Sequence, residues 1–447
     1  MKWQEEYKRK KVTAEQAVEN VKSGDLVVIP VATDPKTLQI ALLARADELR
    51  DVQILSYNAL DDFPWYQAEF RKSFIPQTWF IRHSGARKTI HGNKGDIYIA
   101  SSQLFTKAYE ENRSDCRRPD FVFVEVSPPD ENGFCSFGAT LWDKREQCKH
   151  ANMVVAEVNP TCIRTYGENY IHVSEIDFFV KQVVQPTPPR PSIEDEIEGM
   201  DLRIPKAIAG HASDLIKDRD TMCIGAGTLT EMLLQVGLYD NKNDLGYHGE
   251  RLPRGYFKKL VEQPGLFSGK YKTINPGKII VTLLTLTPGE EKYCELNPQI
   301  ELRSVNYVNN IRTIAAHDNL VSIIGALRVD LTGQVSVESV GPTIITGPGG
   351  SPDIAIGTMM SRGGRLLITL ESTTTTNGHG ASKIVPVLEP GSIVTIPRVY
   401  ADYVITEHGV ARLLGRSQKQ RAYELIAIAH PDFRAELRRE ALRLFGP

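Results

Sequence analysis

The 447-residue sequence predicts a two-domain α/β protein with largely parallel sheets, and three observations carry that prediction. Short apolar, β-branched runs alternate with helical or loop stretches; a proline-rich segment interrupts the alternation; and the alternation then restarts.

Residues 13 to 22 read as an amphipathic helix, and Gly24-Asp25 turns into Leu26-Val27-Val28-Ile29, whose length and branching predict a buried strand. Asp34-Pro35 opens the next helix. Strands of the same kind are expected at Val52 to Tyr57, Asp96 to Ala100, Phe121 to Val126 and Met153 to Val158. Strands apolar on both faces in this order imply a parallel sheet covered by helices. The segment Gln185 to Pro191 carries four prolines, which remove donors and fix φ, so it cannot hold a helix or a central strand. We therefore expect an N-terminal domain at 1–184, a linker at 185–192 and a C-terminal domain at 193–447. Beyond the linker a helix is expected near Pro205 to Lys217, a strand at Thr221 to Ile224 and a helix at Glu231 to Val236. Further strands are expected at Ile279 to Leu286, Leu320 to Leu327, Leu366 to Leu370, Ile393 to Ile396 and Tyr403 to Ile405.

Composition removes several functions. The 53 basic and 55 acidic residues leave a formal charge of -2, so no basic field exists for nucleic acid or an anionic membrane. No apolar run approaches the roughly 18 residues that span a bilayer, and the expectation is a cytoplasmic protein. The six cysteines form no C-x-x-C pair and read as reduced thiols. The ten histidines, among them His248, His379 and His408, show no H-E-x-x-H pattern, so no metal is expected. A G-x-S-x-G elbow is also missing, which removes the main support for serine hydrolase chemistry.

Three places could hold chemistry. Gly225-Ala226-Gly227-Thr228 puts two glycines between a strand and a helix, where backbone N–H groups can face a phosphate or thioester. A dinucleotide fingerprint would want a third glycine where Thr230 stands, so a plain tight turn remains an equal reading. The cluster Gly347-Pro348-Gly349-Gly350 lets another group approach the main chain and can supply oxyanion donors, or it is a surface loop. Glu250, in the irregular stretch Gly246-Tyr247-His248-Gly249-Glu250, reads as a loop carboxylate. Such a group is usually just solvated, but two glycine loops in the same half of the chain could serve a carboxylate nucleophile.

Several segments spread along the chain resemble the acetyl-CoA hydrolase/transferase family, especially its 4-hydroxybutyrate CoA-transferase branch. They include Val126-Ser127-Pro128-Pro129-Asp130-Glu131-Asn132-Gly133-Phe134, Ala156-Glu157-Val158-Asn159 and Ile171 to Asp177. In the second half they include Ser382 to Pro386, Ala401 to Gly409 and Ala429 to Phe433. The resemblance implies two similar α/β domains facing each other across an active-site cleft, in a homodimer or homotetramer. It implies a coenzyme A transferase acting on acyl-CoA and small carboxylic acids, with CoA as substrate and no tightly bound cofactor. By the same resemblance Glu250 is the nucleophile, Asn309 orients the acyl group, and Gly350 supplies an oxyanion donor. Gly225, Ala226, Gly227, Thr228 and Leu229 contact CoA, with Gly347 and Gly349 beside them. The sequence departs from the family at Gly249 (usually Ser or Thr), Ile324 (usually Asn) and Thr373 to Thr376, where relatives often carry a lysine. An acyl-CoA hydrolase on the same scaffold and a non-catalytic CoA- or nucleotide-binding protein are the alternatives.

Overall fold

A computed structural model describes residues 2–57, 63–81, 95–188, 191–263, 265–376 and 379–446. Pro189 and Arg190 of the expected linker lie outside the described residues. The chain divides into two compact units: one gathers Met1–Pro189 with Thr282–Leu284 and Glu291–Tyr307, and the other takes the remainder.

The first unit is built on a sheet of eight strands. In chain order they are β1 (Lys11–Val12), β2 (Leu26–Ile29), β3 (Val52–Ser56), β4 (Phe74–Thr78), β5 (Asp96–Ile97), β6 (Phe121–Val126), β7 (Met153–Val158) and β8 (Phe178–Lys181). Their order across the sheet is β1-β8-β7-β6-β2-β3-β4-β5, and each adjacent pair runs parallel. Every residue of β2 and β6 is buried, which is why these runs show no alternation of apolar and polar residues; the one charged residue, Glu125 of β6, is buried with the rest. Helix α1 (Lys36–Leu43) presses Leu38, Ala41 and Leu42 onto Val27, Ile29 and Ile54.

Polar ties fix the loops around α1. Glu157, at the end of β7, accepts from the Thr37 hydroxyl and the Leu38 N–H. The Thr37 oxygen also accepts from the N–H groups of Val183 and Val184, and Asp34 accepts from the N–H and hydroxyl of Thr187. The start of the proline-rich segment is thereby stapled to the first unit.

Six neighbouring strands of one sheet lie wholly in the second unit. They are β9 (Thr221–Ile224), β10 (Gly246–Leu252), β11 (Leu320–Gly325), β12 (Arg365–Thr369), β13 (Tyr403–Thr406) and β14 (Gly409–Arg412), in the order β14-β13-β12-β11-β9-β10. All pairs are parallel except the hairpin β13/β14. The chain leaves β9 toward β10 on one side and reaches β11, β12 and β13 on the other, so the order reverses beside β9. Open α/β sheets bind ligands at the carboxyl ends of strands at such a reversal.

Two helices matter for what lies there: α2 (Ile311–Ala315) before β11 and α3 (Ser351–Met360) before β12. They touch through Gly357, where an added Cβ would sit 2.5 Å from Ile314 Cγ2 and 2.6 Å from its Cβ. No methyl fits between them.

Three readings of the sequence differ from the fold. Glu250 lies in a seven-residue strand rather than a loop, because Gly246 and Gly249 admit close neighbours at strand positions. The run Ile393 to Ile396 forms only an isolated bridge between Ile396 and Val335; the Ile393 N–H goes to the Ser339 hydroxyl instead of a ladder. Thr373–Thr376 is a strand paired with His379–Ser382 rather than a loop.

Gly357→Ala is expected to lower stability by about 1–3 kcal/mol, because the β-branched Ile314 cannot yield and overpacking outweighs the roughly 1 kcal/mol of added helix propensity. Urea unfolding of the single variant and of Gly357→Ala/Ile314→Ala checks this: the double variant should lose less than the two singles summed.

Candidate active site

The second unit brings three of the sequence-derived residues together. Glu250 sits on β10, eight per cent exposed, and the amide of Asn309 donates to its Oε1 at 2.6 Å. Gly350 caps the N-terminus of α3 against the same carboxyl group: a Cβ there would lie 2.1 Å from Glu250 Oε1, 2.7 Å from its Cδ and 2.1 Å from Asn309 Nδ2. Only glycine permits this contact. Gly349, with φ +58°, makes the left-handed turn that a side chain would strain, and Gly347 is buried in the same loop.

Gly225 follows β9 directly, next to β10 in the sheet. Ala226, Gly227 and Thr228 are exposed and Leu229 is half-buried. Gly227 has φ +149° and opens the helix Thr228–Gln235. The Thr230 hydroxyl lies 2.8 Å from both the Gly225 and Gly227 carbonyls, tying the turn together where a dinucleotide fingerprint would have its third glycine. The turn is thus preformed and open.

Gly249 has a local explanation. A Cβ there would meet Cys223 Sγ at 3.3 Å and Tyr247 Cε1 at 3.4 Å, so the sulfur of β9 occupies space that a serine or threonine would need. Burial, and then the neighbouring Glu250, push the Cys223 thiol up to about 12, which keeps it protonated and unreactive. Ile324, at the end of β11, is two per cent exposed and belongs to the apolar core.

Sequence reasoning missed the groups that brace β10. Arg251 and Arg254 both pair with buried Glu231, at 2.5 and 2.6 Å, and Arg254 also reaches Glu196 at 2.6 Å and the Pro191 carbonyl at 3.0 Å. Burial raises the Glu231 carboxyl, but the two guanidinium groups outweigh it and hold it below its ordinary value. The only signal was two arginines one and four residues after Glu250, which a solvated loop would equally carry.

In the sequence His248 stands as one of ten histidines and as the first residue of the H-[ST]-E element that the family resemblance places at Glu250, with no role of its own. It is buried two residues before Glu250, with its ring 4.5 Å from that of His317. Burial, then Lys272, push His248 down to about 3; burial, then His248 and Lys272, push His317 down to about 2. Both rings are neutral at any working pH.

An α/β protein with a buried, braced carboxylate beside an open glycine turn at a sheet reversal is the class these features define. Comparison with known proteins gives the family. The acetyl-CoA hydrolase/transferase N-terminal domain matches residues 1–189, and the C-terminal domain of the same family matches residues 291–441. The 4-hydroxybutyrate coenzyme A transferase of Clostridium kluyveri is 34% identical over 447 residues, covering 100% of both chains. The succinyl-CoA:cyclohexane-1-carboxylate CoA transferase of Geobacter metallireducens is 34% identical over 452 residues, covering 99% of this chain and 97% of its own. The crystal structure of RipA from Yersinia pestis superposes with a TM-score of 0.87 at 27% identity, covering 100% of each chain. This chain belongs to the acetyl-CoA hydrolase/transferase family.

Two outcomes are expected here. Because the unfolded chain protonates His317 below its ordinary pKa of 6.5 and the folded chain does not until about 2, stability falls as pH drops through that window. Each such group contributes a slope of about 1.4 kcal/mol per pH unit. His317→Leu should flatten the fall between pH 6.5 and 4.5 in chemical unfolding compared with the wild type. Gly350→Ala should displace the Glu250 carboxylate; should that carboxylate react, CoA-transfer turnover is expected to fall about 100-fold, while thermal unfolding of the variant checks that the fold is kept.

Proposed function

We propose that this chain, a CoA-transferase, moves CoA between short-chain carboxylic acids, 4-hydroxybutyrate or related ones, through a covalent thioester on Glu250. One observation carries the reading: the Glu250 carboxyl is almost withdrawn from water, gripped by Asn309 and seated against Gly350. A carboxylate is a weak nucleophile in water, and a desolvated, oriented one is stronger.

The chemistry runs in balanced exchanges. A Glu250 oxygen attacks the thioester carbon; the C–S bond breaks, CoA leaves as thiolate, and an acyl-glutamyl anhydride remains. The thiolate then attacks the glutamyl carbonyl, releasing the acid as carboxylate and leaving glutamyl-CoA. A second carboxylate takes the CoA by the same steps in reverse. No thioester is spent on water, provided water is kept from the anhydride. Each tetrahedral intermediate carries an oxyanion, and we assign its stabilisation to the Gly350 N–H and the Asn309 amide, with roughly 3 kcal/mol at stake for one donor.

The turn Gly225 to Leu229 is the proposed CoA contact, with Gly347 and Gly349 lining the same approach. The two-domain division read from the sequence, with CoA as substrate and no tightly bound cofactor, belongs to this reading. So does a cytoplasmic homodimer or homotetramer. Among the described residues no helix is long and apolar enough to cross a membrane.

The test is trapping. Incubation with an acyl-CoA and no acceptor, followed by borohydride, should reduce the thioester and leave residue 250 as the corresponding alcohol by peptide mass spectrometry. Glu250→Gln should show no such product and lose CoA transfer to added carboxylates. An unlabelled, fully active Glu250→Gln protein would end the proposal, and steady release of CoA without an acceptor would make the enzyme a hydrolase instead.

A further inference from the structure

Resting on the reading of Glu250 as nucleophile, we propose that His248 is a positioning residue: its ring fixes the peptide that carries Asn309, and Asn309 in turn holds the reacting carboxylate.

Strand periodicity puts His248 and Glu250 on the same face of β10, since residues two apart share a face. The His248 Nε2 lies 2.8 Å from the carbonyl oxygen of Val308, buried. A carbonyl only accepts, so Nε2 carries the hydrogen and donates it. That carbonyl belongs to the planar peptide linking Val308 to Asn309, so the bond fixes the plane from which the Asn309 side chain departs. The Asn309 amide then closes a ring back to β10 through its 2.6 Å bond to Glu250 Oε1. Next along the chain, the Asn310 side chain accepts from the Arg312 N–H and caps α2, so Asn309 is held from both sides.

An apolar residue would fill the position of His248 without burying a polar ring. The imidazole supplies a rigid donor at the correct reach instead. Its neighbours argue against a proton-carrying role. Lys272, which donates to the carbonyls of Tyr247 and Lys278 at 2.9 and 2.7 Å, opposes a positive charge on the ring, and the neutral ring of His317 packs against it. Burial, then Lys272, keep His248 neutral, so it stays a donor of one fixed tautomer across the assay range.

The test compares two amides of different reach. Glutamine can place its NH2 near the position of Nε2, whereas asparagine falls short of the Val308 carbonyl. Single-turnover formation of the borohydride-trapped CoA adduct is measured first on the wild type, then on both variants. The expected result is His248→Gln within about 5-fold of wild type. For His248→Asn the expected loss is at least about 30-fold in kcat, with KM for acyl-CoA changed less than about 3-fold, the pattern of a misplaced reacting group. Asn309→Ala should cost clearly less in the His248→Asn background than alone, since both break the same link. The pH profile of His248→Gln should keep the wild-type shape.

A labelled wild type with the two variants equally fast, or a pH limb lost in His248→Gln, overturns the positioning role and leaves the Glu250 reading standing. A wild type that forms no adduct removes the Glu250 reading and this one with it.

Discussion

The carboxyl group of Glu250 occupies the volume that a methyl on residue 350 would fill, and the rest of the site is arranged around that contact. A group pressed against backbone on one side and gripped by an amide at 2.6 Å on the other has few rotamers to choose from. The orientation of this carboxyl is therefore built into the resting protein. The close packing of Gly357 on Ile314 serves the same end, because α2 follows Asn309 directly and α3 begins at Gly350.

Bracing from outside the site keeps the strand rigid. Glu231 lies on the helix that the G-x-G turn opens, and it pairs with the two arginines that follow Glu250. The turn and the strand that carries Glu250 thus share one buried ionic cluster. Charges buried with matched partners are neutral in sum, but removing one partner leaves the others stranded and costs several kcal/mol. This cluster sets position more than it adds net stability.

How much of this could be read in advance depends on burial. Phe121–Val126 and Met153–Val158 emerge with the bounds expected, because strands covered on both faces read as near-continuous apolar runs, each broken only by one buried glutamate, Glu125 or Glu157. Glu250 lay in a stretch that looked like a loop, since two glycines in five residues are poor strand formers. What the sequence could not show was that a side chain at 246 would collide with Lys272, and that one at 249 would press on the Cys223 sulfur. Family resemblance singled out Glu250, Asn309 and Gly350, which the structure brings into contact. It put His248 in the same short element as Glu250 but gave it no role, because its ring bonds to a main-chain oxygen 60 residues away, a partner with no residue identity to leave a trace.

The first unit begins the chain but does not end with its own strands. It is completed by residues 282–284 and 291–307, made well after the linker and after the strand that bears Glu250. At a synthesis rate of about 5–20 residues per second, the first 189 residues wait on the order of ten seconds for their missing pieces. A nascent chain must keep this half folded in part, or shielded by a chaperone, until residue 307 has left the ribosome. For the same reason, separate genes for the two halves, divided at the prolines, would yield a first half lacking part of its own fold.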